Sequence, residues 1–167
     1  MVFIPDIIDY KPFYIQTDAD ANAVDTTTWG LIARTTPFPL FPSPKDPYKN
    51  EWLDEDGDDE YLGEVHFEAF EFDVQFHIIT KGENAVESLV SQVESFRNKI
   101  WKGQYKIFDS YTGIGRRKVR YAGGSIEDFR ERIRRGESKA SCDLTITFKV
   151  NDPVTRVILV NGKLVEG

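Results

Sequence analysis

The sequence predicts an α+β fold: mainly an antiparallel β-sandwich or split barrel, with one long flanking helix at 84–100 and a short second helix at 126–135. Three observations carry this reading. Polar and apolar residues alternate with period two over Glu64–Thr80 and again over 140–150, the pattern of half-buried strands. Between them Val86, Leu89, Val90, Val93, Phe96 and Ile100 recur at helical spacing and form one apolar stripe. Near the end, TRVILVNGKLVEG places Asn161-Gly162 between two β-prone runs, a two-residue turn signal for a hairpin at 154–166.

The elements follow in order. Short strands are expected at 12–17 and 28–34. Seven of the eight prolines lie in the first 50 residues, and proline cannot donate to a sheet ladder, so 35–50 reads as an extended arm with Phe38, Leu40 and Phe41 available for contact. In Glu64–Thr80 the phase slips: Val65, Phe67 and Ala69 share one face, then Phe70, Phe72, Val74, Phe76 and Ile78 continue one residue late. A β-bulge at Ala69–Phe70 repairs such a slip. Unbroken, the segment would run roughly 56 Å at ~3.3 Å per residue, which also argues for a break. Asn84 as N-cap with Glu87 at N3 resembles a capping box, and Gly103 ends the helix. Strands at 105–108 and 118–122 are joined by DSYTGIG. Ser125 caps the short helix and Gly136 stops it. In 140–150 Ala140, Cys142, Leu144, Ile146, Phe148 and Val150 face inward.

The chain of 167 residues reads as one domain, 1–167, large enough to bury a core without disulfides or metal. No apolar run approaches the ~20 residues of a membrane span, and MVFIPDIIDYKPF has no basic region or cleavage site of a signal peptide. The net charge of −7 argues against nucleic acid as the main partner. Charge is nevertheless segregated. Residues 51–64 carry −8, with Asp54, Asp56, Asp58 and Asp59 at the centre, whereas 116–139 carry +5, including Arg116, Arg117, Arg120, Arg130 and Arg134. Opposite poles on one chain suit self-association or partner docking, and equally a pair of solvated loop or helix faces.

No catalytic set stands out. With Gly57 at loop position six of DEDGDDE, position one is Trp52 and position twelve is Gly63, so the bidentate acid of an EF-hand is missing. This leaves an acidic surface turn or a looser calcium site. His66 and His77 are the only histidines and are placed too far apart to share a metal. Cys142 falls at an inward strand position, the place of a structural thiol rather than a nucleophile. There is no GxSxG, P-loop or HExxH motif. The expectation is no catalysis, no cofactor and no bound metal.

Two stretches carry a resemblance: WLDEDGDDEYL (52–62), followed by the long β segment and the helix from Asn84, and LTITFKVNDPVTRV (144–157), a strand closing on Phe-Lys-x-x-Asp-Pro. In this order they resemble the N-terminal domain of distal tail (Dit-like) proteins of long-tailed phages and prophages, over about residues 25–157. The resemblance implies the sandwich or split barrel shared by tail-tube and tail-hub proteins. It also implies a homo-oligomeric ring, a hexamer, around the tail lumen, with other tail proteins as partners. Such a protein is made in the bacterial cytoplasm and assembled into the virion tail. The chain is short for the second, galectin-like domain that many such proteins carry. The rival expectation is a carbohydrate-binding or adhesive β-sandwich, in which Trp29, Trp52, Trp101 and the tyrosines form a sugar platform; an unrecognised hydrolase is a third.

Overall fold

The computed structural model describes residues 11–35 and 41–167. The strands are β1 (Phe13–Gln16), β2 (Val24–Asp25), β3 (Leu31–Thr35), β4 (Lys49–Glu51), β5 (Asp58–Glu60), β6 (Phe70–Lys81), β7 (Tyr105–Asp109), β8 (Ile114–Arg134), β9 (Glu137–Val150), β10 (Val157–Val160) and β11 (Lys163–Glu166). A 3-10 turn, Thr26–Trp29, precedes β3, and the helix α1 spans Ala85–Ile100 between β6 and β7. Seven strands form one sheet in the order β2-β1-β7-β8-β9-β6-β3, and its paired neighbours are antiparallel.

The sheet curls over itself and over α1. β9 alternates without a fault: Ala140, Cys142, Leu144, Ile146, Phe148 and Val150 are all buried. β6 pairs with it from Phe70↔Val150 to Lys81↔Lys139 with no register shift, so Phe72, Val74, Phe76 and Ile78 join the same inner face. Phe13 of β1 comes from the far half of the sheet and closes on this face, with ring centroids 5.8 Å from Phe76 and 6.2 Å from Phe148. α1 then contributes Ala85, Leu89, Phe96 and Ile100, and Phe96 sits edge-on to Phe76 at 5.4 Å. Asn84 makes no side-chain cap bond, so the capping box is not formed, although its carbonyl accepts the Ser88 amide at 2.9 Å. Val90, expected in the apolar stripe, is 43% exposed.

Two expectations are corrected. The break in the first alternating segment is not a bulge. β6 begins at Phe70, and 64–69 lie outside it, touching the structure through an isolated bridge between Phe67 and Pro44. More consequentially, 126–135 is not a helix. It is the distal part of β8, turning at Arg135-Gly136 into β9. Ile126, Phe129 and Ile133 have helical spacing because a bulge interrupts β8 between Glu127 and Arg130. Asp128, at φ 51°, occupies it. The extra residue places all three on one strand face by register, imitating a helix stripe.

The C-terminal hairpin forms as expected, with Asn161 at φ 51° and Gly162 at φ 77° in its turn. It packs on the β7–β8 corner through buried Val157 and Leu164. Gly115 permits this approach, since a Cβ there would lie 2.4 Å from the Val157 carbonyl oxygen.

Leu89 is 1% exposed within this core. Leu89→Ala is expected to lower unfolding free energy by ~2–5 kcal/mol, the range for a cavity left in a packed interior. Urea denaturation measures it, and a loss under about 0.5 kcal/mol would contradict the packing of α1 on the sheet.

Candidate interaction surface

β8 is the long strand of the sheet, yet β7 pairs with it only from Ile114 to Val119. From Arg120 to Arg134 its inner side is held by β9, and among the described residues no strand pairs with its outer side. Two bulges, at Tyr121/Gly123 and Glu127/Arg130, lie along this stretch. Ile126, Phe129 and Ile133 remain 55%, 47% and 74% exposed on it. An open groove of about 340 Å³ separates this part of the hairpin from α1, with Val93, Phe96, Ile126 and Ile146 among its lining residues.

On the opposite face of the sheet the register brings cations together. Lys81, Lys139 and Arg132 stand directly across from one another on β6, β9 and β8, and in the next row Ile79, Ser141 and Arg130 do the same. With Arg134 and Arg135 at the turn they border a cleft of about 830 Å³. The sequence segment 116–139 supplies only part of this surface, since Lys81 arrives from β6. A strand reading of 126–135 would have revealed it, because residues two apart share a face: Arg130, Arg132 and Arg134 then fall in line.

The other arginines of the basic segment are differently employed. Arg116 is half-buried and donates to the Gly115 carbonyl at 3.0 Å; burial, and then neighbouring Arg156, lower its pKa. Arg117 pairs with Asp152 at 2.6 Å and with Glu166, joining β8 to the C-terminal hairpin. Arg120 is exposed on β8. Asp152 belongs to the Asp-Pro turn noted in the sequence, where its carboxylate also accepts the Thr155 amide at 3.1 Å. Burial pushes its pKa up, but Arg117 and these hydrogen bonds outweigh that and hold it well below the usual carboxylate range.

The acidic residues lie in an excursion between β3 and β6. β4 and β5 pair only with each other in a two-stranded ribbon. Asp54 and Asp56 occupy its turn, and Asp58 and Asp59 stand on β5. Asp58 is paired with Lys49 at 3.1 Å, and Asp59 accepts the Trp52 indole N–H at 3.2 Å. Apolar side chains are displayed beside them: Phe41 is 92% exposed and Leu53, at the turn, fully so. Phe38 and Leu40 lie outside the described residues.

Groups that might have suggested chemistry are occupied in the framework. His77 lies 2.6 Å from Asp143, while His66 sits 3.8 Å from Glu64 in the excursion, so the two histidines have separate settings. Among the described residues no three His, Cys, Asp or Glu side chains are grouped to hold a metal. Burial, and then Asp143, push the Cys142 thiol up to about 11. The tryptophans are used separately: Trp29 packs against Phe96, Trp101 lies under the Arg97 guanidinium, and Trp52 stands in the excursion. Among the described residues no helix is long and apolar enough to cross a membrane.

A curled antiparallel sheet closed over one helix, with a long two-stranded projection, defines a Dit-like fold. The similarity is to the Dit protein (gp 19.1) of phage SPP1, described as a paradigm of the hub adsorption apparatus in phages infecting Gram-positive bacteria. The TM-score is 0.58 over 87% of this chain at 17% identity, and the match spans 52% of that protein, about half its length. No protein-family model matches the sequence, and no curated protein matches it.

The Arg117–Asp152 pair yields a pH test. A carboxylate whose pKa is depressed on folding contributes stability above its unfolded value of ~3.9, and that contribution is lost as pH falls through the folded value. Asp152→Asn is expected to destabilise the protein by ~1–3 kcal/mol at pH 7. The gap to the parent should narrow as pH falls below ~4. Equal stability of the two proteins at neutral pH would show that the pair does not hold the C-terminal hairpin.

Proposed function

We propose that this chain is a non-enzymatic structural subunit of a phage or prophage tail. It acts as a distal-tail or tube-like ring component, by self-assembly into a homo-oligomeric ring, a hexamer, and by docking other tail proteins. The observation that carries this reading is the outer edge of β8 over 120–134, unpaired among the described residues, on a fold shared with a phage hub protein. An exposed edge presents unpaired backbone donors and acceptors to another chain. Here it is accompanied by exposed Ile126, Phe129 and Ile133, which supply apolar area beside the backbone contacts. A subunit that offers an edge at one end of its sheet and receives at the other makes a heterologous contact, which closes into a ring when the rotation permits. The framework roles of His77, Cys142 and Asp152 support a structural rather than catalytic function.

Light scattering coupled to size exclusion tests this. The parent should run as a closed oligomer, alone or with tail partners. Phe129→Lys with Ile133→Lys, both at exposed positions, should weaken assembly at least about tenfold, or 1.4 kcal/mol per subunit contact, without changing the monomer's melting temperature. A parent that stays monomeric at high concentration with tail partners present would sink the reading. It would move the glycan-binding alternative forward, with the cleft of about 600 Å³ beside Tyr48 and Tyr61 as its site.

A further inference from the structure

We infer that the basic outer face of the β8–β9 hairpin is the receptor for the acidic ribbon, β4–β5 and its turn, of a second copy of this chain. The inference rests on the self-assembly reading and names a second contact within it, distinct from the β8 edge.

The receptor is a surface on which cations gather. Like charges directly opposite across strands are unfavourable, yet Lys81, Lys139 and Arg132 occupy one cross-strand row. Glu137 is the one acid lining the cleft they border. Among the described residues Arg132 and Lys139 have no ion-pair partner, and Arg130 has only Asp128 at 3.9 Å, on its own strand. Beside the row Ile79, half-buried, lines a recess with Arg130, Arg132 and Lys139. The face is therefore an apolar spot with a cationic rim.

The ribbon has the inverse pattern. Its turn carries Leu53, fully exposed, followed directly by Asp54, Glu55 and Asp56. The segment 51–64 totals −8, and its ion pairs among the described residues are with Lys49 and with His66 of the neighbouring loop. Among the described residues no ion pair or hydrogen bond links ribbon and hairpin within one chain. Seating Leu53 over Ile79 would bury apolar area while the flanking carboxylates meet the arginine and lysine rim. Each copy carries one ribbon and one receptor, so the contact runs head to tail. Charge fixes its register and apolar burial contributes its affinity. Exposed pairs are individually weak, so the effect of the charges is collective and sensitive to salt, whose Debye length is ~3 Å at 1 M.

The test uses full-length chains. Isotopically heavy and light copies are mixed, assembled and treated with a zero-length carbodiimide, which joins carboxylates to lysine amines. Mass spectrometry should find mixed-isotope links from Lys139 or Lys81 to Asp54, Asp56, Asp58 or Asp59. In parallel, Arg132→Glu with Lys139→Glu, and separately Asp54→Lys with Asp56→Lys, should each weaken assembly about tenfold or more. The chain carrying both reversals should regain it. An assembled parent with no such link, single reversals that assemble as tightly as the parent, or a double reversal that fails to recover overturns this inference and leaves the ring intact. So does a hairpin reversal that weakens assembly while the ribbon reversal does not, which would assign the basic face to a different anion. A monomeric parent overturns both.

Discussion

The ladder between β6 and β9 is the constraint from which the remaining structure follows. Its twelve consecutive pairs run without a bulge. Because side chains alternate along a strand, this unbroken register commits every even-numbered residue from Phe72 to Ile78 and from Ala140 to Val150 to one face. That face is what α1 and β1 cover, and the rings of Phe13, Phe76, Phe96 and Phe148 meet there. A slip of one residue would turn the whole set outward. The register is thus strongly specified by burial, and the strands on either side of the pair are freer to depart from regularity.

β8 takes that freedom. It follows β9 through two bulges, each adding a residue that β9 does not match. Bulges increase local twist and bend the strand that carries them. β8 leaves β7 at Val119 and, among the described residues, continues with β9 alone, which leaves its outer edge open. The open edge and the apolar groove beside α1 are two results of one departure. The opposite face remains pleated and regular enough to hold its cations in rows.

What the sequence disclosed follows the same division. β9, β6, α1 and the Asn161-Gly162 hairpin were legible because one face of each is buried, and burial imposes a clean period. The distal part of β8 was illegible because a bulge at Asp128 gives a strand the three- and four-residue spacing of a helix, and nothing in Ser125–Arg135 marks the bulge as such. Arg135-Gly136 was read as a helix stop when it is a hairpin turn, two roles that both favour positive φ at glycine. The acidic ribbon was visible as composition, but its pairing was not, since β4 and β5 are exposed at every position and leave no periodic trace. The candidate arginines were identified by charge alone. Only the fold separates Arg117, tied to Asp152 and Glu166, from Arg130 and Arg134 on the open hairpin.

An open strand edge is hazardous to a protein unless something selects its partner. On the reading proposed above, charge makes the selection. The exposed stretch of β8 carries Arg120, Arg130, Arg132 and Arg134 together with Glu127, Asp128 and Glu131, and Arg130, Arg132 and Arg134 share its outer face. The chain's own concentration of acids lies far along the sequence, in a ribbon that among the described residues pairs with no strand of the main sheet. Segregating the two signs leaves the core untouched: β4 and β5 contribute nothing to it, and Arg130, Arg132 and Lys139 stand on the face of the hairpin opposite Ala140, Cys142 and Leu144. On the reading proposed above, such an arrangement favours a head-to-tail neighbour, and head-to-tail repetition is the geometry from which rings are built.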